Sequence, residues 1–252
     1  MGTLKICIDA GHFGRNNNNP DVSPVYWESL MAWDLHLLLK EELEKYEGVT
    51  VITTREDQTK DLALEARGKK AAGCDLFLSL HSNACNSKTV DRPVCIYPVS
   101  GKCKDLALML ATTVRTVMET NDPPKIAQRW NSTNTADYYG VIRGAASVGV
   151  PGLILEHSFH TCDERALWLE KTENLRKLAV AEAAVLAADY GCKPKTVNPF
   201  EDVQEGKWFY EAVMWALGKG IVSGTDETHF SPNAKPTRAQ VVVMLWRALA
   251  NK

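Results

Sequence analysis

The chain has 252 residues and a formal net charge of -2 at pH 7; 45% of its residues are hydrophobic and 24% are charged. These proportions are typical of a globular protein long enough for one full-sized domain and a small one. The near-neutral charge gives no indication of nucleic-acid binding. No apolar stretch approaches the length that a membrane span requires, so membrane insertion is not expected.

Strand-like apolar runs alternate with amphipathic segments, which predicts an α/β fold with a mostly parallel twisted sheet flanked by helices. The predicted strands are Leu4–Asp9, Val49–Thr53, Leu76–Leu80, Val94–Tyr97 and Leu153–Leu155, with a short one near Val141 and Ile142. The predicted helices are Tyr26–Lys45, Leu62–Ala72, Lys104–Glu119, Glu164–Lys171 and Glu173–Asp189, then Phe209–Lys219 and Arg238–Ala250 in a small helical C-terminal module.

Three polar residues occupy positions that an α/β sheet uses for ligands. His12 and His81 each end an apolar, strand-like run, and Glu28 lies in the first turn of the longest predicted helix. Ligand sites of open α/β sheets form where the carboxyl ends of strands meet loops and helix starts. Two imidazoles and one carboxylate are a ligand set of catalytic zinc sites, which leave a fourth position for water. The Asn16–Asn19 run between two of these residues is predicted to be a surface loop.

These residues belong to a longer series of fragments between about Lys5 and Tyr190. In chain order the fragments are Ile8 to His12, Glu28, Thr54 to Asp57, Ala63 to Arg67, Leu78 to Ala84, Gly140 to Arg143 and Pro151 to Phe159. With this series the chain resembles the zinc-dependent N-acetylmuramoyl-L-alanine amidases of type 3. These enzymes cut the bond between muramic acid and the peptide stem of peptidoglycan. The resemblance implies that His12, Glu28 and His81 hold a zinc ion.

Amide hydrolysis also requires a group that moves a proton, because zinc supplies only the activated water and the polarised carbonyl. Glu156 follows the apolar run Leu153–Leu155 and matches the family's catalytic glutamate. The alternative for such a carboxylate is a capping or salt-bridging role at a strand end.

Three further residues are candidates for substrate contacts: Arg143, Asn83 and His157. Arg143 has the charge to pair with a stem-peptide carboxylate. For His157 a supporting role behind the site is the alternative, because strand alternation turns it away from Glu156.

The C-terminal part predicts a second module. The expected boundaries are a catalytic domain at 1–191, a linker at 192–199 and a module at 200–252 that resembles a single S-layer homology repeat. Such repeats usually come in threes and bind secondary cell-wall polymers. Here there is one copy, and Gln240 stands where the usual motif has glutamate. Polymer binding, docking on the catalytic domain and homo-oligomerisation all remain open.

The predicted function is a peptidoglycan hydrolase, with peptidoglycan as its partner. No secretory signal precedes the first strand, which favours a phage or prophage endolysin made in the cytoplasm, and the repeat suggests a Gram-positive wall. The alternatives are a bacterial autolysin or sporulation-type amidase, a zinc peptidase acting within the stem, and a non-catalytic wall-binding protein. The seven cysteines, with no Cys-x-x-Cys pair, indicate free thiols.

Overall fold

The computed structural model describes residues 2–19 and 21–250. The chain forms two compact units, the first running to Lys193 and the second beginning at Pro194. In the part of the chain that is described, no helix has the length and apolar character to cross a membrane. All seven cysteines are free.

The strands of the first unit are β1 (Leu4–Ala10), β2 (Asn18–Asn19), β3 (Ser23–Trp27), β4 (Val49–Thr53), β5 (Leu76–Asn83), β6 (Val94–Ile96), β7 (Lys125–Ala127) and β8 (Gly152–Phe159). Six of them form one sheet in the order β4-β1-β5-β8-β6-β7, and β2 and β3 form a separate ribbon. The pairs β4-β1, β1-β5, β5-β8 and β6-β7 are parallel, whereas β6 and β8 are antiparallel. The predicted α/β class with a mostly parallel sheet is confirmed.

The helices of the first unit are α1 (Glu28–Leu43), α2 (Leu64–Lys69), α3 (Lys104–Met118), α4 (Gly140–Ser147), α5 (Asp163–Leu169) and α6 (Thr172–Asp189). Alternate residues of each central strand pack into two separate hydrophobic cores, because successive side chains of a strand point to opposite faces of the sheet. In β1, for example, Ile6 and Ile8 join the core formed with α1, α3 and α6, while Cys7 joins the core formed with α4. The sheet is therefore covered by helices on both faces.

The short strand predicted near Val141 and Ile142 is wrong, because these residues lie in α4. Gly144 lies inside this helix, and a Cβ there would stand 2.2 Å from the Glu65 carbonyl oxygen; a Cβ on Gly68 would stand 2.1 Å from that of Val141. Glycine is required because α2 and α4 pack backbone against backbone. The sequence pattern predicted a short strand where a helix forms, and the glycines serve helix packing.

The helix that the sequence predicts to be the longest begins later than predicted. Tyr26 and Trp27 belong to β3, and α1 starts at Glu28. The carboxylate thus lies on the first residue of the helix, where the positive end of the helix dipole favours a negative charge.

The second unit contains α7 (Tyr210–Gly218) and α8 (Arg238–Ala250). Val213 of α7 packs with Phe200 and Val203 in a small core. At the start of α8 the backbone N–H of Gln240 donates to Thr237 Oγ1, and the backbone N–H of Thr237 donates to Gln240 Oε1. This reciprocal pair is a capping box, so glutamine completes the motif without a carboxylate.

Helix α8 has no buried residue. Its exposed large apolar side chains are Val241, Val242, Val243, Leu245, Trp246 and Leu249. Exposed apolar patches larger than those of ordinary monomers are typical of association sites.

Candidate active site

Three side chains meet at one end of the sheet. His12 follows β1, Glu28 opens α1 and His81 lies near the end of β5. Glu28 Oε1 is 3.2 Å from His12 Nε2 and 2.9 Å from His81 Nδ1. One ligand atom from each residue can be chosen so that all lie within 4.8 Å of one another, the spacing of a metal-binding group. The structure thus gathers the three residues that the sequence predicted as ligands.

Glu28 is the buried member of this cluster, with 2% of its surface exposed. Burial acts to raise the pKa of Glu28, but hydrogen bonds to His12 and His81 outweigh it and hold the pKa well below the usual range of a glutamate. Asn17 Nδ2 donates to Glu28 Oε2 at 2.7 Å, and the backbone N–H of Ser82 donates to Glu28 Oε1 at 3.1 Å. The carboxylate is therefore ionised at neutral pH, as a metal ligand has to be.

The ring of His81 is oriented by a chain of hydrogen bonds behind it. Ser79 Oγ donates to Asp9 Oδ2 at 2.7 Å, so its oxygen accepts from His81 Nε2 at 3.1 Å. Asp9 is fully buried and also accepts from Thr54 Oγ1. In the neutral ring that metal binding requires, the bond to Ser79 keeps the proton on Nε2 and leaves the lone pair of Nδ1 for the metal. Supporting bonds of this kind fix the tautomer and direction of metal-binding histidines. Without a metal, Nδ1 carries a proton as well and donates to Glu28 Oε1 at 2.9 Å.

The backbone at His12 is held in an unusual conformation. His12 has a φ of 58°, a left-handed value that costs energy for a residue other than glycine. Two buried guanidinium groups, those of Arg55 and Arg67, each donate to the carbonyl oxygens of both Ala10 and His12 at 2.8 to 3.0 Å. These four bonds keep the turn in the conformation that presents the His12 ring.

Gly11 lies against the ring of His81, and we expect Gly11→Ala to weaken metal binding. A Cβ at this position would be 2.4 Å from His81 Cε1, so the ring has to turn away. Loss of support for a ligand typically costs about 10- to 100-fold in metal affinity, measurable by competition with a chelator. Gly14→Ala is the control: it strains a residue with a φ of +66°, but its Cβ meets nothing within 4 Å. An unchanged affinity in Gly11→Ala would contradict the prediction.

Glu156 lies beside this cluster. It is the register partner of His81 between β5 and β8, and it lines the same cavity of about 350 Å³ as His12, Glu28 and His81. Its Oε2 atom is buried and has no hydrogen-bond partner. Burial, followed by the negative charge of Glu28, raises the pKa of Glu156 to about 7, although the charge of His81 opposes this. A carboxyl group with this pKa can both accept and release a proton near neutral pH.

The predicted substrate contacts divide into one that lines the cavity and two that do not. Asn83 is part of the cavity wall. Arg143 belongs to α4, where its guanidinium donates to Glu65 and to the carbonyls of Asp137 and Tyr138. These bonds use the donors of Arg143 to hold α4 against neighbouring segments of the chain.

His157 is fully buried and lies on the other face of β8 from Glu156. Its ring bonds to the carbonyl of His81 at 2.8 Å and to the carboxylate of Glu182 at 2.8 Å. Burial disfavours its charge, but Glu182 outweighs this and raises the pKa of His157 above its usual range. His157 therefore supports the strand that carries His81 and does not reach the cavity.

Sequence reasoning missed Asn17. Its amide lies 3.2 Å from His12 Nε2 and bonds to Glu28, so it bridges two members of the cluster. Its φ of 55° is a left-handed value that asparagine tolerates better than most residues. The available signal was an asparagine run between two candidate ligands, which the sequence alone placed in a surface loop.

A six-stranded sheet between two helical layers, with imidazole and carboxylate groups gathered in one cavity, defines an α/β catalytic domain. Solved structures with this fold include the catalytic domain of CwlV, an N-acetylmuramoyl-L-alanine amidase from Bacillus (Paenibacillus) polymyxa var. colistinus. It has a TM-score of 0.61 and 20% identity, over 75% of this chain and 99% of that one. They also include the amidase AmiC2 of Nostoc punctiforme, with a TM-score of 0.60 and 23% identity, over 75% and 97%.

The amino-acid sequence gives the particular family. A family model described as N-acetylmuramoyl-L-alanine amidase matches residues 6–188, and one described as S-layer homology domain matches residues 199–242. The amidase CwlM of Bacillus licheniformis is 27% identical over 185 residues, which cover 73% of this chain and 68% of that protein. The chain belongs to the N-acetylmuramoyl-L-alanine amidase family, which confirms the enzyme class predicted from its sequence.

Proposed function

We propose that this amidase is zinc-dependent, with His12, Glu28 and His81 as its metal ligands and Glu156 as its proton-transfer group. It cleaves the amide bond between the lactyl group of N-acetylmuramic acid and the L-alanine of the stem peptide. The observation that carries the proposal is the cavity in which the His12, Glu28 and His81 cluster adjoins a carboxylate oxygen without a partner. The domain from 1 to 191 holds this chemistry, the linker is 192–199, and 200–252 is the accessory module.

The donor set fits a zinc ion. Two imidazoles and one ionised carboxylate form a ligand set that zinc uses in catalytic sites. His81 Nδ1 and Glu28 Oε1, both possible ligand atoms, are only 2.9 Å apart. Burial opposes the charge of His81, but the hydrogen bond to Glu28 outweighs it and raises the pKa of His81 to about 9, which places a proton between the two atoms. Two acceptors at this distance repel unless a proton or a metal cation lies near both. When bound, zinc polarises the scissile carbonyl and lowers the pKa of water to about 7.

Glu156 supplies the proton transfer. In its ionised form Oε2 accepts a proton from the attacking water, and in its protonated form it donates that proton to the departing amine. Both forms are populated near neutral pH because burial raises the pKa of Glu156 to about 7. Asn83, in the cavity wall, offers an amide to the substrate.

Analysis of the products from purified peptidoglycan tests the reaction. An amidase releases peptides with a new N-terminal alanine and leaves muramic acid with a free lactyl carboxyl group. A zinc peptidase acting within the stem creates new peptide termini but leaves the muramoyl–alanine bond intact, and this second pattern would overturn the proposal. A non-catalytic wall-binding protein releases neither product.

The C-terminal module supports action at the cell wall. Its resemblance to an S-layer homology repeat suggests affinity for a secondary cell-wall polymer, and a Gram-positive wall is the proposed target. The predicted endolysin role remains a proposal, and a bacterial autolysin is the second candidate because CwlM and CwlV come from bacteria. Measurement of when the gene is expressed distinguishes the two roles. Expression on phage induction indicates an endolysin, and expression during vegetative growth or sporulation indicates a bacterial amidase.

Truncation after Lys193 is expected to preserve cleavage of purified wall fragments and to reduce lysis of whole cells. The first unit is compact on its own, whereas the second carries the exposed apolar face of α8. If that face self-associates, light scattering gives full-length protein the mass of a small oligomer and the truncated protein that of a monomer. Oligomers also gain avidity for a polymeric wall. Equal monomeric masses would exclude self-association, and unchanged whole-cell lysis would exclude a targeting role.

A further inference from the structure

A second cavity adjoins the one that contains the histidine–glutamate cluster. Its volume is about 390 Å³, and it shares two wall residues, Asn83 and Tyr139, with the first cavity. The floor is apolar and includes Val94 and Ile96 of β6. Because the walls are shared, a substrate bound at Glu156 can extend directly into this second cavity, which we call the basic groove.

The basic groove carries an excess of positive charge. Arg92, Lys125 and Arg129 line it, and no carboxylate does so among the described residues. Arg92 has one loose ion pair, with Asp122 at 3.8 Å, and the guanidinium carbon of Arg129 lies 3.6 Å from the ring centre of Tyr138. A cavity lined by charges of one sign raises the local concentration of ligands of the opposite sign, so three cations around one cavity indicate an anionic ligand.

The positions of the three cations follow from the sheet. Lys125 begins the edge strand β7 and is the register partner of Val94 in β6, while Arg92 and Arg129 lie in the segments that flank these two strands. Positive groups therefore surround an apolar strip. This combination suits an extended peptide with carboxylates and small aliphatic side chains.

We infer that the basic groove binds the stem peptide through its carboxylates. The inference rests on the proposed function. On one side of the scissile amide the glycan strand is uncharged, because the lactyl carboxyl group is part of the amide. On the other side the stem carries free carboxylates, starting with that of the γ-linked glutamate. Charge complementarity assigns the peptide to the basic groove and the glycan to the opposite rim of the catalytic cavity.

This assignment also accounts for Arg143. The sequence offered Arg143 as the partner of a stem-peptide carboxylate, but its guanidinium is occupied by Glu65 and two carbonyls. Arg92, Lys125 and Arg129 lack comparable bonds, so they have donors available for a ligand. Arginine and lysine in such settings form charge-assisted hydrogen bonds, which are stronger than neutral ones.

The test compares two muramoyl-peptide substrates that differ only in charge, one with the free α-carboxyl group of the γ-linked glutamate and one with the amide in its place. The variant is Arg92→Gln, Lys125→Gln and Arg129→Gln combined. The control, Lys69→Gln, Lys102→Gln and Lys171→Gln combined, removes the same charge from exposed lysines that do not line the groove.

We expect the groove variant to lose about tenfold in kcat/KM on the carboxylate substrate, about 1.4 kcal/mol, mainly through a higher KM. On the amidated substrate its loss is smaller, and the control matches wild type on both. Equal losses on the two substrates, or no loss on either, would overturn the inference.

Binding of the free peptide L-Ala-γ-D-Glu-L-Lys, measured by calorimetry, separates this result from a failure of the proposed function. If wild type cleaves neither substrate but binds this peptide more tightly than the groove variant does, the reaction is wrong and the groove assignment stands. If wild type cleaves both substrates and binds the peptide no more tightly than the variant does, the groove assignment is wrong and the reaction stands.

Discussion

Replacement of His81 by alanine is expected to abolish zinc binding and hydrolysis together. The change removes one of three ligands and leaves Glu28, a buried carboxylate, facing His12 alone. Since catalytic zinc needs three protein ligands to hold it while a position stays open, two cannot retain it at ordinary concentrations. Elemental analysis of the purified variant measures the metal directly, and release of peptides from peptidoglycan measures activity.

The matched control is His229→Ala, which removes an exposed imidazole from the second unit. It should keep one zinc per chain and full activity. Treatment of wild type with a chelator should reproduce the His81→Ala result, and added zinc should reverse it for wild type only. A stoichiometric metal content in His81→Ala, with circular dichroism unchanged, would show that the ligand set lies elsewhere.

The sequence predicted the bounds of several elements well where one local signal was sufficient. The bounds of β4 and α8 agree with the prediction, and α3 and α6 differ from it by one residue. In α3 the apolar residues recur with a period of about 3.6, and the buried residues of α6 do the same. In α4 the local signal failed because Gly144 is required for contact with α2, a constraint set by tertiary packing.

In the candidate site, too, residues marked by a local signal were predicted and residues placed by tertiary contacts were not. The structure brings His12, Glu28 and His81 together, as the sequence predicted, because each stands at a strand end or helix start, and such ends converge in an α/β sheet. Asn17 was not found, because its contact with Glu28 depends on the ribbon formed by β2 and β3.

Long-range contacts explain the remaining differences between the sequence predictions and the structure. Arg143 was assigned to substrate because its charge was visible in the sequence, whereas its partner Glu65 is 78 residues away. In the same way, nothing local links Arg92 to Lys125 and Arg129; only the parallel pairing of β6 and β7 brings their segments to one cavity. A sequence therefore shows which groups are charged, but it does not show which of them are free of partners within the protein and can bind a ligand.

Glu156→Gln is expected to retain zinc and to lose hydrolysis by about 100- to 10,000-fold, the usual cost of removing a general acid–base group. Glutamine keeps the shape of the side chain but cannot accept the proton of the attacking water. Glu173→Gln, an exposed replacement at the start of α6, is the control and should leave turnover unchanged. Turnover near that of wild type in zinc-loaded Glu156→Gln would assign proton transfer to another group.

The pH dependence provides a second test of the same residue. Glu156 has to be ionised to accept a proton, so kcat/KM of wild type should fall as the pH drops through the pKa of this carboxyl group. That pKa lies above the ordinary 4.5 because burial raises it, to about 7 before a nearby cation draws it down. The acid limb should therefore fall between about 4.5 and 7, and the residual activity of Glu156→Gln should lack it.

The folding stability of wild type should fall as the pH rises, whereas its kcat/KM should rise over the same pH range. A raised pKa means that ionisation of Glu156 opposes folding, so wild type loses this part of its stability as the pH rises from about 4.5 to about 7. Metal-free Glu156→Gln avoids the loss and should melt at the same temperature as metal-free wild type, or above it, at pH 8. A variant that is inactive, zinc-loaded and at least as stable as wild type shows that the carboxylate serves the reaction at a cost to the fold. A lower melting temperature would instead assign Glu156 a structural role.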